Sequence, residues 1–283
     1  MSTSSAPRLI TGSEPMTGSN TAPATLITIP LSHYCEKARW ALDRVALPYR
    51  EEPHAPLLHR LATRRNDGGT VPVLVHGSRR LIDSTDILVY ADAACGGGLL
   101  YPRDAAQRRE VDAFEERFDT ELGPHTRRWA YAHLLSQAEL LRALWSHGVP
   151  RFEASLVSVI APLARRLVRA AYKITPEGAQ RSLERVRGIF RQVDERLGDS
   201  GSGRRFLVGE GFSAADLTFA ALAAPVLLPA ECRAVQPALD AAPVAMREDV
   251  LRLRDTNAGR FALRLFSQQR GVCLASHADH RAP

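Results

Sequence analysis

The hydrophobic pattern of this chain changes character once, close to residue 100, and that change constrains the fold more than any other feature of the 283 residues. Before it, short β-branched runs alternate with amphipathic stretches; after it, only helical periodicity remains. Residues 25–29 (TLITI) read as a buried strand closed by Pro30. Ala38, Ala41, Leu42 and Val45 recur at i, i+3, i+4 and i+7, which predicts a helix over residues 35–45, stopped by Pro48. Residues 48–52 read as a second short strand and residues 57–65 as a short polar helix. The turn cluster Asn66-Asp67-Gly68-Gly69 precedes a strand over residues 71–75, a hairpin turn at 76–78 and a returning strand over 80–82. Helix resumes at Ser84, with Ile87, Leu88, Ala91 and Cys95 on one face.

That order describes an α/β layer with mixed strand directions, closed by Gly96-Gly97-Gly98. Beyond Pro102 the chain reads as successive helices. Val111, Phe114, Phe118 and Leu122 share one face; Leu183, Val186, Phe190, Val193 and Leu197 share another, in a helix with Thr175 as N-cap and Pro176 in its first turn. The expected organisation is a flexible leader (1–24), an α/β domain (25–100), an all-α helical bundle (104–270) and a flexible tail (271–283).

Composition excludes several other classes. Hydrophobic residues make up 45% and charged residues 24%, which suits a folded chain rather than a disordered one. The net charge of +6 permits anionic partners, but arginines interleave with acids, as in residues 181–195 (RSLERVRGIFRQVDE), so no nucleic-acid partner is expected. Cys35, Cys95, Cys232 and Cys273 form no CxxC pair and no metal-ligand spacing, so neither a disulfide scaffold nor a metal site is expected. The most apolar stretch, residues 219–230, is interrupted by Pro225 and Pro229 and is too short to span a bilayer, so no membrane partner is expected. The first 24 residues lack the basic start and apolar core of a secretory signal, and a cytoplasmic location is expected.

Three segments of the first domain can carry chemistry. Ser32 opens the first helix, where its hydroxyl either caps the helix or donates to a thiolate held near the helix N-terminus. Cys35 follows three residues later, as a buried core thiol or a single reactive one. Pro72 opens a strand expected to pair centrally, which is awkward unless the Val71-Pro72 bond is cis; the other reading is a strand-edge proline. Asp83-Ser84 stands where the fourth strand meets a helix, as a cap beside a solvated acid or as a pair suited to an amine and a carboxylate.

Taken in this order and spacing, Ser32-x-x-Cys35, Val71-Pro72, Asp83-Ser84 and the Leu100-Tyr101-Pro102 exit resemble the soluble glutathione transferases. The resemblance implies a thioredoxin-like first domain that binds glutathione as cosubstrate, with Ser32 beside its sulfur. It also implies that Ser32, Thr70, Val71, Pro72, Asp83 and Ser84 hold the tripeptide, the Val71-Pro72 bond being cis and the Val71 backbone meeting the cysteinyl unit. A small hydrophobic electrophile would lie against Phe114, Phe118, Arg127, Trp129 and Tyr131, although aromatics at helical spacing read by themselves as core and Arg127-Arg128 as a solvated pair. A homodimer is implied as well. Residues 212–218 (FSAADLT) resemble the family's helical capping motif, with Ser213 as cap and Asp216 reaching back.

The chain departs from the pattern at His33, where proline is frequent, at Thr70, which replaces a common lysine or glutamine, and at Asp83, which replaces a common glutamate. His59, Arg64 or Arg65 would then have to meet the glycine carboxylate. Extra residues lie around 146–200. The implied activity is attack by glutathione thiolate on the electrophile, in conjugation, dehalogenation, isomerisation or peroxide reduction. The alternatives are a non-catalytic scaffold with the same fold and a Cys35-dependent reductase.

Overall fold

The computed structural model of the protein describes residues 23–198 and 205–274. The expected leader therefore lies, but for its last two residues, outside the described residues, as does the expected tail beyond residue 274.

Strand β1 (Ala24–Thr28) lies parallel to β2 (Tyr49–Pro53), antiparallel to β3 (Val73–His76), and β3 turns back into β4 (Arg79–Leu81), giving the mixed order β2-β1-β3-β4. Helices α1 (His33–Arg44), α2 (His59–Arg64) and α3 (Ser84–Ala94) complete the layer. The first helix begins two residues before the hydrophobic period does, because Ser32 caps it from an extended backbone. The third strand begins two residues later than expected: Pro72 has no N–H to give to the ladder, and pairing starts at Val73.

Helices α4 (Ala105–Arg117), α5 (Gly123–Leu134), α6 (Ala138–Ser146), α7 (Arg151–Ala171), α8 (Pro176–Leu197), α9 (Ala214–Leu227), α10 (Val244–Arg254) and α11 (Asn257–Gln269) form the second part, with a π-helical turn (Phe118–Leu122) joining α4 to α5. Helix α9, buried but for Pro225, is its axis, its capping box closed by Ser213 and Asp216. Asp216 accepts from the N–H groups of Leu207 and Ser213 and from the Ser213 hydroxyl, each at 2.8 Å.

The two parts are clamped together through the polar face of α1, which an amphipathic reading assigns to solvent. Lys37 is fully buried, with Nζ 2.9 Å from Glu115 and 2.7 Å from Asp119 of the helical part, and it donates to Thr85 at 2.9 Å. Glu115 also accepts from Tyr101 at 2.5 Å. Burial works against the Lys37 ammonium, but the two carboxylates outweigh it and raise its pKa above the ordinary lysine value. Along another side of α1, buried Arg270 meets Glu36 at 2.6 Å and Asp43 at 2.9 Å. A third clamp comes from α7: Glu153 accepts from His54 at 2.6 Å and from the Ala55 N–H at 2.7 Å, pinning the loop after β2.

Helix α7 lies within the segment expected to be extra, residues 146–200. One face buries Glu153, Val157, Ala164 and Val168; the stripe beside it exposes Phe152, Leu156, Val159, Leu163 and Leu167. Among the described residues no helix is long and apolar enough to cross a membrane.

Candidate active site

The strand-to-helix junction after β1 and the segment before β3 converge on one cavity of about 280 Å³. Ser32, Thr70 and Val71 line it on the α/β side, together with His33, His59 and Arg60. Arg127, Ala130, Tyr131 and Leu134 of α5, Leu167 and Val168 of α7, and Tyr172 line it on the helical side. Helix α7 thus supplies a wall of the cavity.

Ser32 is half-buried, and its Oγ accepts from the Cys35 N–H at 3.3 Å, a long contact, while its hydroxyl can still donate, to the Cys35 sulfur or to a ligand. Ser32 therefore caps α1 and also lines the cavity. Tyr34, two residues on, does not compete for that position, because its hydroxyl donates to the Asp119 carbonyl at 2.8 Å. Its ring packs so closely on α5 that a Cβ at Gly123 would stand 2.3 Å from the Tyr34 oxygen. His33 is buried and donates to the Gly123 carbonyl at 3.0 Å. Burial, then the nearby Arg127 charge, push its pKa down to about 3, so the imidazole is neutral. Cys35 is fully buried; burial pushes its thiol up despite Arg39 and the Ser32 hydrogen bond, which disfavours the thiolate that reductase chemistry needs.

The Val71-Pro72 peptide bond is cis, as the resemblance implies. Neither the N–H nor the C=O of Val71 enters a backbone hydrogen bond among the described residues, so both remain for another partner at the cavity edge. Nearby, His59 has a buried Nδ1 with no hydrogen-bond partner, and burial, Arg60 and His54 hold its pKa down to about 4. Exposed Arg64 and Arg65 are not among the lining residues.

Other expected site residues fall elsewhere. Pro72, Asp83 and Ser84 do not line the cavity. Asp83, not Ser84, is the N-cap of α3, accepting from the Thr85 N–H at 2.8 Å, while Ser84 is buried in the first turn. Phe114 and Phe118 are also absent from the lining; they stack on each other at 5.6 Å, and Phe118 packs on Phe219 of α9. Trp129 is buried against His133. Phe118 and Trp129 are core and Phe114 packs half-buried against it, whereas Arg127 and Tyr131 reach the cavity. Sequence reasoning missed Tyr172, whose position depends on how α7 folds back; its ring lies 5.8 Å from Tyr131.

Residues 26–98 match the family model described as the glutathione S-transferase N-terminal domain. No curated protein matches the chain in sequence. Solved structures similar in fold include a glutathione transferase from Phanerochaete chrysosporium (15% identity, 87% of this chain and 96% of that one, TM-score 0.59). Two others are the beta-etherase LigF of Sphingobium sp. strain SYK-6 (17%, 86% and 99%, TM-score 0.54) and a poplar glutathione transferase (16%, 87% and 99%, TM-score 0.51). The chain therefore carries a glutathione S-transferase N-terminal domain within a glutathione transferase fold.

Proposed function

We propose that the chain is an enzyme of glutathione transferase type, with Ser32 as the residue that meets the reacting sulfur. The observation that supports this most is the convergence of the Ser32 hydroxyl and the unpaired Val71 backbone groups on one cavity. An extended peptide pairs with a free backbone N–H and C=O as an added strand does. The residues fit glutathione: Val71 would hold its cysteinyl unit, and His59 and Thr70 would face its glycine end. Asp83 and Ser84, at the start of α3, would hold its γ-glutamyl end.

Bound glutathione would supply a thiolate that forms a C–S bond at an electrophilic carbon as a leaving group departs, the thiol proton passing to solvent. The chain's own contribution is a hydroxyl donor beside the α1 N-terminus, where the helix dipole favours negative charge, and an apolar wall that orients the electrophile. Buried Cys35 argues against the reductase alternative.

Titration of the full chain with glutathione, followed by the ultraviolet absorbance of the thiolate, tests the reading. The wild type should ionise the bound thiol below its solution pKa. In Ser32→Ala, loss of a hydrogen bond to a charged group costs about 1.5–3 kcal/mol, so that pKa should rise by about 1–2 units and kcat/KM should fall roughly 10- to 150-fold with binding retained. Wild-type turnover in Ser32→Ala would refute the assignment.

A further inference from the structure

We infer that the second substrate is an anionic, mainly apolar molecule whose carboxylate or sulfonate is held by Arg127; this rests on the transferase reading above. The cavity contains no aspartate or glutamate among its lining residues, only the cations Arg60 and Arg127 and two neutral histidines among many apolar groups. A cavity with such walls selects an apolar body, and an acid-free lining with arginine in it selects a negative group on that body.

Arg127 is positioned but unpaired. It lies in the first turns of α5, and its guanidinium stands 4.2 Å from the Tyr172 ring centroid and 5.8 Å from that of Tyr34. Those faces hold the cation in place yet satisfy none of its five N–H donors, which need oxygen acceptors. Its Nε is buried without a hydrogen-bond partner, and among the described residues no hydrogen bond or ion pair involves this side chain. The adjacent Arg128 is different: its Nε donates to the Tyr172 carbonyl at 2.8 Å and its Nη1 to Ser182 at 3.2 Å. Buried Arg39 and Arg270 have carboxylate partners at 2.6 Å. A guanidinium fixed by two rings with open donors, beside a cavity without acids, is arranged for a planar anion that arrives with a ligand. In the proposed function the two carboxylates of glutathione face His59, Thr70 and Ser84, which leaves Arg127 for the other substrate.

The test uses two fluorescent probes of one two-ring frame, 8-anilinonaphthalene-1-sulfonate and the uncharged N-phenyl-1-naphthylamine, titrated into the full chain without glutathione. The wild type should bind the sulfonate more tightly. Arg127→Leu should weaken the sulfonate about 10- to 100-fold, as expected for loss of a charge-assisted hydrogen bond, and leave the neutral probe within about twofold. Arg127→Lys, which keeps the charge and serves if the leucine variant fails to fold, should retain a preference for the sulfonate. Equal weakening of both probes in Arg127→Leu, no weakening of either, or a preference lost in Phe152→Ser on the exposed face of α7 would overturn the inference. So would an equal preference for both probes in Arg127→Lys. Turnover then separates the two proposals: with glutathione, the wild type should show a lower KM for 4-chloro-3-nitrobenzoate than for the more reactive 1-chloro-2,4-dinitrobenzene, and Arg127→Leu should lose that difference. If neither electrophile is consumed while the probe selectivity holds, the transferase reading fails and the anion site stands.

Discussion

Replacing Lys37 by methionine should separate the energetics of the interface from those of the cavity. The ammonium is fully buried and sits 2.9 Å from Glu115, 2.7 Å from Asp119 and 2.9 Å from the Thr85 hydroxyl. Methionine keeps the apolar stem but leaves two carboxylates facing each other beside an uncharged neighbour, with Glu115 2% exposed. Removing one partner of a buried ion pair costs about 3–5 kcal/mol, most of it the penalty of the charge left behind. With a urea m-value of about 3 kcal/mol/M, the midpoint should fall by about 1–1.7 M, read by far-ultraviolet circular dichroism and tryptophan fluorescence together. The triple variant Lys37→Met, Glu115→Gln, Asp119→Asn removes the stranded charges and should recover most of the loss. A midpoint unchanged within about 0.3 M in Lys37→Met, or a triple variant weaker than the single one, would refute the assignment of this triad as the clamp.

Further predictions concern single contacts. Gly123→Ala puts a Cβ 2.3 Å from the Tyr34 oxygen and should cost about 1–3 kcal/mol in urea unfolding, with Tyr34→Ala restoring part of it in the double variant. Burial lifts the Asp216 carboxyl from 3.8 to about 6, against hydrogen bonds from Leu207 and Ser213. The folded chain therefore keeps a proton that the unfolded chain releases, so this group's contribution is fully present below about pH 4 and is lost as pH rises through about 6. Over that window the wild type should lose about 3 kcal/mol relative to Asp216→Asn, and parallel stability–pH curves would contradict it. For Ser32→Ala the informative quantity is the thiol pKa of bound glutathione, and for Arg127→Leu the ratio of anionic to neutral probe affinity, since neither responds to a uniform loss of stability.

The sequence by itself determined the order of elements, because strand and helix periods are local properties: TLITI, the Asn66-Asp67-Gly68-Gly69 turn and the Thr175-Pro176 helix start each act over a few residues. It also determined where chemistry is available, since Ser32 must stand at a helix start once α1 follows β1. Only the tertiary structure decided which side chains share a space. Cys35, Glu36, Lys37 and Arg39 sit on a helix whose local pattern assigns the charged ones to water, yet all are buried because α1 lies between the sheet and the helical part. Among the residues that the resemblance implied for the electrophile, Arg127 and Tyr131 line the cavity, while Phe118 entered the core and Phe114 packs half-buried against it. Periodicity gives the face of a helix but not its neighbours. Those are set by contacts far apart in sequence, such as Glu153 on Ala55 and Arg270 on Glu36, which no local pattern encodes.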